Sequence, residues 1–150
     1  MDTTTILPTC VCNPGQVQRY LNRISGPLLD RIDIQIEIVP VPFEKISEKQ
    51  QAESSASIRE RVICARKMQE KRFANHPGVY CNAQMESRLL HLYAEPDEQG
   101  LNLLRNAMTR LNLSARAYDR ILKVARTIAD LDHSEQVTSI HLAEAISTEI

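Results

Sequence analysis

The stretch from Leu111 to Leu131 constrains the fold of this chain most, because it carries both a start signal and an unbroken helical pattern. Ser114 is a good N-cap, since its hydroxyl can accept a hydrogen bond from the amides of a first helical turn. Apolar residues then recur at helical spacing on one face, while polar and charged residues occupy the other. The apolar face consists of Ala117, Ile121, Val124, Ala125, Ile128 and Leu131, and the polar face of Arg116, Arg120, Lys123, Thr127 and Asp130. We therefore predict a central helix over residues 114–131.

Further helices with short connections are predicted around this one. Helical spacing and start signals favour helices over residues 54–74, 85–93, 97–111 and 138–147, and the first has a possible capping box at Ser57 and Glu60. Arg126 and Asp130 read as an i,i+4 surface pair worth roughly a few tenths of a kcal/mol. Because aromatic residues make up only 4% of the chain, an aliphatic helical core is favoured over a sheet sandwich. The fold class is therefore mainly α, a compact helical bundle.

Residues 1–50 have a different pattern. A short helix is predicted over residues 14–24, and Gly26-Pro27 ends it. Four isoleucines then alternate with polar residues from Ile32 to Ile38, which predicts a β-strand that ends at Pro40. Since no second strand is present to pair with it, we interpret residues 1–50 as an incomplete segment, disordered or paired between copies. Residues 51–150 form the helical domain.

Composition excludes several classes of function. The formal net charge is −1, which gives no global electrostatic reason to expect nucleic acid or an anionic membrane as a direct partner. No apolar run reaches the roughly twenty residues of a transmembrane helix, and the first residues do not resemble a signal peptide. None of the four glycines stands in a G-x-x-x-x-G-K-S/T phosphate loop. We expect a cytoplasmic protein without a complete active site of its own.

Two local patterns are candidates for chemistry, and each has a simpler interpretation. Cys10-x-Cys12 supplies at most two of the four ligands that zinc needs, and the simpler reading is free thiols. Cys64 and Cys81 are candidates to complete such a site, although Cys64 reads as a small packed helical residue.

Arginines supply the second pattern. Arg116 and Arg120 stand one turn apart near a helix start, where paired guanidiniums suit a phosphate group. The simpler reading of this pair is a solvated helix face. Arg31 is locally one exposed charge at the entrance to the predicted strand.

Three segments together resemble a known family. These are QVQRYLNRISGPLLDRIDIQIEI, ESSASIRERVICAR, and LSARAYDRILKVARTIADL with a closing HLAEAI. They resemble the C-terminal part of the magnesium-chelatase-like AAA+ ATPases of the ComM/YifB type, from about Cys10 onward. The resemblance implies that residues 1–50 are the tail of an ATPase core and that residues 51–150 are its C-terminal helical lid. The phosphate loop, the Walker-B acids and the first sensor of the family would precede this chain.

The resemblance also implies roles for the arginines and cysteines. Arg31, in Leu28-Leu29-Asp30-Arg31, would be an arginine finger that reaches ATP bound by a neighbouring subunit. Arg116 resembles the sensor-2 arginine, which contacts the nucleotide of its own subunit. Arg120 is a weaker candidate for nucleotide binding, or an interface residue. Cys10 and Cys12 resemble the second half of a CxC…CxC pair, a half site for Zn²⁺.

The family implies a function for a longer protein. That protein would be a ring-forming ATPase, hexameric, using ATP and Mg²⁺ as a branch-migration motor on DNA in recombination and natural transformation. The remaining core of the same protein would be the partner of this chain and would bind the DNA. This fragment alone is expected neither to bind ATP tightly nor to hydrolyse it. One alternative is a free-standing helical module that binds phosphate or protein, and another is a chelatase-type metal-insertion subunit.

Overall fold

The computed structural model describes residues 11–29, 31–36, 38–41 and 53–148. Its helices are α1 (Pro14–Leu21), α2 (Gly26–Leu29), α3 (Ser55–Phe73), α4 (Ser87–Tyr93), α5 (Glu98–Arg110), α6 (Ala115–Leu131) and α7 (Ser139–Ser147), with a 3₁₀ turn at Asn82–Gln84. The prediction of a mainly helical fold is confirmed. Among the described residues, no helix is both long and apolar enough to cross a bilayer.

The chain divides into two compact units. The front unit comprises residues 1–32 and 36–49, and the bundle unit comprises residues 33–35 and 50–150. The bundle unit thus takes in three residues of the segment predicted as a strand. The boundary expected between residues 50 and 51 remains a prediction.

The core of the bundle unit is organised around α6, as the sequence predicts. Along one face of this helix Ile121, Leu122, Ala125 and Ala129 are almost fully buried. They pack in one hydrophobic cluster with buried residues of α3, α4, α5 and α7. These include Phe73, Leu90, Leu104, Leu142 and Ala145. Helix α6 contacts α7 most extensively and also packs against α3, α4 and the 3₁₀ turn.

Close packing between α5 and α7 depends on a glycine. A Cβ atom added to Gly100 would lie 2.6 Å from Leu142 Cδ1 and 2.9 Å from Pro96 Cβ. Real carbon atoms do not approach so closely, so a larger residue here would force the side chains of Leu142 and Pro96 to move. Gly100 therefore leaves room for the Leu142 side chain of α7.

The front unit is formed by short elements. Asn13 caps α1, because its Oδ1 accepts from Gln16 N at 2.9 Å while Gln16 Oε1 accepts from Asn13 N at 3.1 Å. Of the residues whose burial is described in this unit, all are exposed except Val17, which is half-buried. Helix α1 is therefore held by local bonds rather than by a core of the described residues.

The strand predicted over Ile32–Ile38 is wrong for this structure. Residues 32–36 and 38–41 take up no strand pairing. A strand requires a neighbour to receive its amide and carbonyl bonds, and none is formed by the described residues. The alternation of isoleucines is present in the sequence, but without a neighbouring strand it does not produce a β-strand among the described residues.

Two finer predictions on α3 are also corrected. The cap is Ser54, whose Oγ accepts from Ser57 N at 3.2 Å, and the Ser57–Glu60 capping box does not form. A capping box at Ser57 and Glu60 requires the helix to begin after Ser57, whereas α3 begins one turn earlier, after Ser54. Cys64, read as a packed residue, is exposed, since it lies away from the buried stripe of Ala65, Gln69 and Phe73.

Candidate functional site

The start of α6, which carries Arg116, is held by two local devices. Ser114 Oγ accepts a hydrogen bond from Ala117 N at 3.2 Å, so the predicted cap is confirmed. Upstream, α5 ends with Asn112 in the left-handed region at φ 50° and with Leu113 N donating to Met108 O at 3.1 Å. This is the hydrogen bond of a Schellman motif, which turns the chain sharply out of one helix and into the next. The first turn of α6 therefore has a fixed position on the bundle.

Arg116 is the second residue of α6, and its side chain is exposed. It directly precedes Ala117, which is buried in the core. The unsatisfied amides at this helix end carry partial positive charge, so the helix dipole slightly disfavours a cation here and favours a bound anion. The arrangement is therefore suited to an anionic group that approaches both the guanidinium and the helix end.

Arg120 lies in different surroundings, although it is one turn further along the same helix. It is half-buried and lines a cavity of about 270 Å³ together with Asp33, Ile34, Lys123 and Val124, and with Ala83, Thr127, Ile128 and Leu131. Lys123 Nζ donates to Ala83 O at 3.0 Å at the same place. The two arginines predicted as a phosphate-binding pair therefore differ, one exposed at the helix start and one in the wall of a mostly apolar groove.

Arg31 belongs to the front unit and follows α2. Its backbone N donates to Leu28 O at 3.0 Å, which closes the turn after this short helix. Its side chain is exposed, and so is that of Leu28, at 51%. The turn therefore leaves Arg31 exposed to solvent.

The cysteines do not form a complete metal site within the described part of the chain. Cys10 lies outside the described residues, and Cys12 is exposed directly before the cap of α1. Cys64 is exposed and Cys81 is half-buried. No group of three or more metal-binding side chains occurs among the described residues. Two thiolates fall short of the four ligands of structural zinc, so the half site at Cys10 and Cys12 remains a prediction.

A buried network of charges joins α6 to α3, and the sequence did not predict it. The fully buried Asp130 carboxylate accepts two hydrogen bonds from Arg72, one of them to Oδ2 at 2.8 Å. Arg126 Nε donates to Asp130 Oδ1 at 3.1 Å, and Asn82 Nδ2 donates to Oδ2 at 2.7 Å. Arg126 and Asp130 were read as a surface pair, and this is wrong because both side chains are buried, with exposures of 1% and 0%.

The same network ties the end of α6 to the loop that follows. Arg126 Nη1 donates to Glu135 O at 2.8 Å and Nη2 to Ser134 O at 2.5 Å. Ser134 N in turn donates to Ala129 O at 2.8 Å, after His133 at φ 56°. Two spacings in the sequence point towards this network. Arg126 and Asp130 form an i,i+4 pair on α6, and Arg72 on α3 lies at helical spacing from Gln69 and Ala65 of the buried stripe.

Charge balance in the network shows in the pKa values. Burial raises the pKa of Asp130, the largest single effect. Hydrogen bonds from Arg72 and Asn82 and the charges of Arg126 and Arg72 together lower it by more, so the pKa of Asp130 lies below its ordinary value. For Arg126, burial lowers the pKa, and the charge of Asp130 opposes this only in part. Asp130 is therefore held ionised between two arginines. Its hydrogen bonds join α6 to α3 and to the 3₁₀ turn.

Comparison with known families accounts for nearly the whole chain. Residues 52–149 match the family described as magnesium chelatase, subunit ChlI C-terminal. Residues 3–46 match magnesium chelatase, subunit ChlI.

Individual relatives agree with this match. The chain is 43% identical over 138 residues to the uncharacterized protein YifB of Escherichia coli, covering 91% of this chain and 26% of YifB. It is 41% identical over 137 residues to YifB of Salmonella typhimurium, with 91% and 26% covered. It is 40% identical over 135 residues to the competence protein ComM of Haemophilus influenzae, covering 89% of this chain and 26% of ComM.

This chain therefore spans 26% of the length of these relatives. The resemblance to the ComM/YifB type is confirmed by both kinds of comparison. The chain belongs to the magnesium chelatase ChlI family and carries its C-terminal region.

Proposed function

We propose that this chain is the C-terminal part of a longer AAA+ ATPase, in which it supplies Arg31 to a neighbouring subunit and Arg116 to its own nucleotide site. The observation that carries the proposal is the match of residues 3–46 and 52–149 to consecutive parts of one family. Arg31, in the first matched stretch, and Arg116, in the second, are both exposed. The phosphate loop would come from the part of the longer protein that precedes these residues.

The chemistry assigned to the two arginines is electrostatic. When ATP and Mg²⁺ are bound, they supply the phosphoryl group and a cation that shields its oxygens. Arg31 would neutralise the charge that develops on the transferring group, which requires an exposed side chain at a subunit edge. Arg116 would hold the nucleotide against the start of α6, where the helix amides add to the attraction of its guanidinium.

The bundle unit would act as the helical lid of such an enzyme. Its core is closed around α6, and the Ser114 cap and the α5 turn fix the end that carries Arg116. A lid of this kind moves as one body, so that a contact at Arg116 shifts the whole bundle. The longer protein would assemble as a hexameric ring and move DNA branches in recombination or transformation. The name of one relative, competence protein ComM, supports this substrate over metal insertion into a porphyrin.

The direct test is a subunit-mixing assay on the longer protein. Arg31→Ala alone is expected to lower ATP turnover by about 10³-fold or more, the usual loss for an arginine finger. Mixing Arg31→Ala subunits with subunits that carry a disabled phosphate loop should restore turnover, because the second kind donates an intact Arg31. Arg116→Ala is also expected to lower turnover, but the same mixing should not restore it, because Arg116 acts within its own subunit.

Arg105→Ala is the matched control. Arg105 is exposed on α5, and its side chain donates one hydrogen bond within the described part of the chain, to Asn102 at 3.4 Å. Turnover should therefore stay within about twofold of wild type. The proposal for Arg31 is contradicted if mixing fails to restore turnover, and that for Arg116 if mixing does restore it.

The alternative of a free-standing phosphate-binding module has less support from the geometry. It requires Arg116 and Arg120 to act as a pair on one anion. Arg120 is half-buried in a groove with Lys123 and Ile34, whereas Arg116 is exposed. The position of Arg120 fits an interface residue better than a second phosphate ligand.

A further inference from the structure

Residues Asp33–Gln35 lie on the bundle, although their sequence pattern belongs to a strand. Gln35 N donates to Thr148 O, just after α7, at 3.3 Å. Asp33 and Ile34 line the cavity of about 270 Å³ together with residues of α6, including Val124 and Ile128. We call this cavity the α6 groove, and Asp33–Gln35 the strap.

The strap cannot occupy this groove and a sheet at the same time. In a strand, Ile32, Ile34, Ile36 and Ile38 would all project from one face, because side chains alternate with a period of two. A sheet that buries this face takes Ile34 away from Val124 and Ile128. A ladder on the side of the Gln35 amide would also take the hydrogen that Thr148 now accepts.

The contact in the groove is loose. Ile34 remains 50% exposed. A cavity of about 270 Å³ stays open beside it. A close-packed site leaves little space of this kind, so the strap is held weakly enough to be released. Ile36, the next isoleucine of the pattern, is 77% exposed.

We propose that the α6 groove is a parking site for the strap, which leaves it when the Ile32–Ile38 segment pairs as a strand of an ATPase core. This inference rests on the proposed function for the sheet of the ATPase core, but the docking itself does not.

The docking is tested in this chain by comparing Ile34→Asn with Ile36→Asn. Methyl resonances of Val124 and Ile128 report on the groove, and hydrogen exchange at the Gln35 amide reports on the strap. Ile34→Asn should shift both methyl groups and speed exchange at Gln35 about tenfold, as expected when a local contact opens. Ile36→Asn, in a matched and exposed position, should change neither. Equal responses to both substitutions, or none, would overturn the docking.

The release is tested in the longer protein with the milder substitution Ile34→Val, which keeps a strand-forming side chain. In this chain it should shift the methyl resonances of Val124 and Ile128. In the longer protein, where the segment is paired, it should leave them unchanged. An equal shift in both proteins would show that strap and strand are compatible and would overturn the parking role. Failure of the proposed function would appear instead in the subunit-mixing assay, whatever the methyl resonances show.

Discussion

The bundle unit and the front unit use the same kinds of apolar residue but differ in what covers them. In the bundle unit Ile121 and Leu142 are 0% exposed and belong to one closed cluster. In the front unit Ile36 and Ile38 are 77% and 88% exposed, although they stand in an equally regular pattern. A large exposed apolar surface marks a site of interaction. The front unit therefore exposes apolar side chains that could pack against a surface outside the described residues. The bundle unit covers its apolar side chains with its own helices.

The largest effect is expected where the bundle depends on a buried charge. Asp130→Ala leaves Arg72 and Arg126 buried without their shared carboxylate, and removing one partner of a buried pair costs about 3–5 kcal/mol. Urea unfolding of this chain, followed by circular dichroism at helix wavelengths, measures the loss. Asp119→Ala on the same helix is the control, because Asp119 is only half-buried and lies outside the network. Similar small losses for both would contradict the network's role.

A second pair of substitutions compares the two units directly. Ile121→Ala should lower the free energy of unfolding by about 2–5 kcal/mol, because it leaves a cavity in the core. Ile36→Ala should change it by less than about 0.5 kcal/mol, as for an ordinary surface position. The same urea titration measures both. A large loss for Ile36→Ala would mean that the front unit contributes to a shared core.

Acid should weaken the bundle through Asp130. Its pKa in the folded chain lies below the value of about 3.9 in an unfolded one. The stabilisation is therefore fully present above that value and is lost as pH falls through the folded pKa. The difference in unfolding free energy between wild type and Asp130→Asn should shrink as pH falls below about 4. A difference that stays constant with pH would show that the ionised carboxylate is not what stabilises the network.

The smallest effect concerns helix caps. Ser114→Ala removes the bond to Ala117 N and should lower the unfolding free energy by about 1 kcal/mol. Asn13→Ala removes the equivalent bond at α1, but it should leave global unfolding unchanged, because the described part of the front unit buries no core around that helix. Hydrogen exchange should instead show faster opening at Gln16 and Val17. A global loss from Asn13→Ala would contradict the difference between the units.

The parts of the fold that the sequence predicts are those that depend on neighbours along the chain. The Ser114 cap follows from spacing over one or two turns, and so do Ala117, Ile121 and Ala125 on the buried face of α6. The other half of the predicted face, Val124, Ile128 and Leu131, is only half-buried. The helices of the bundle lie within a few residues of their predicted bounds for the same reason.

The parts that could not be predicted depend on distant residues. Asp130 is buried because Arg72, 58 positions earlier, folds over it. The Ile32–Ile38 strand was expected from an alternation that is present, but pairing needs a partner that alternation does not supply. For the candidate site, local pattern placed Arg116 at a helix start. It did not indicate that Arg120 would lie in a groove with Ile34.

A titration of this chain with Mg·ATP, followed residue by residue by NMR, decides whether Arg116 binds a nucleotide without the core that supplies the phosphate loop. We expect no shifts, or weak and unsaturated shifts confined to the start of α6 near Arg116. Saturable binding centred on both Arg116 and Arg120 would contradict this expectation and would establish the bundle as a phosphate-binding module in its own right.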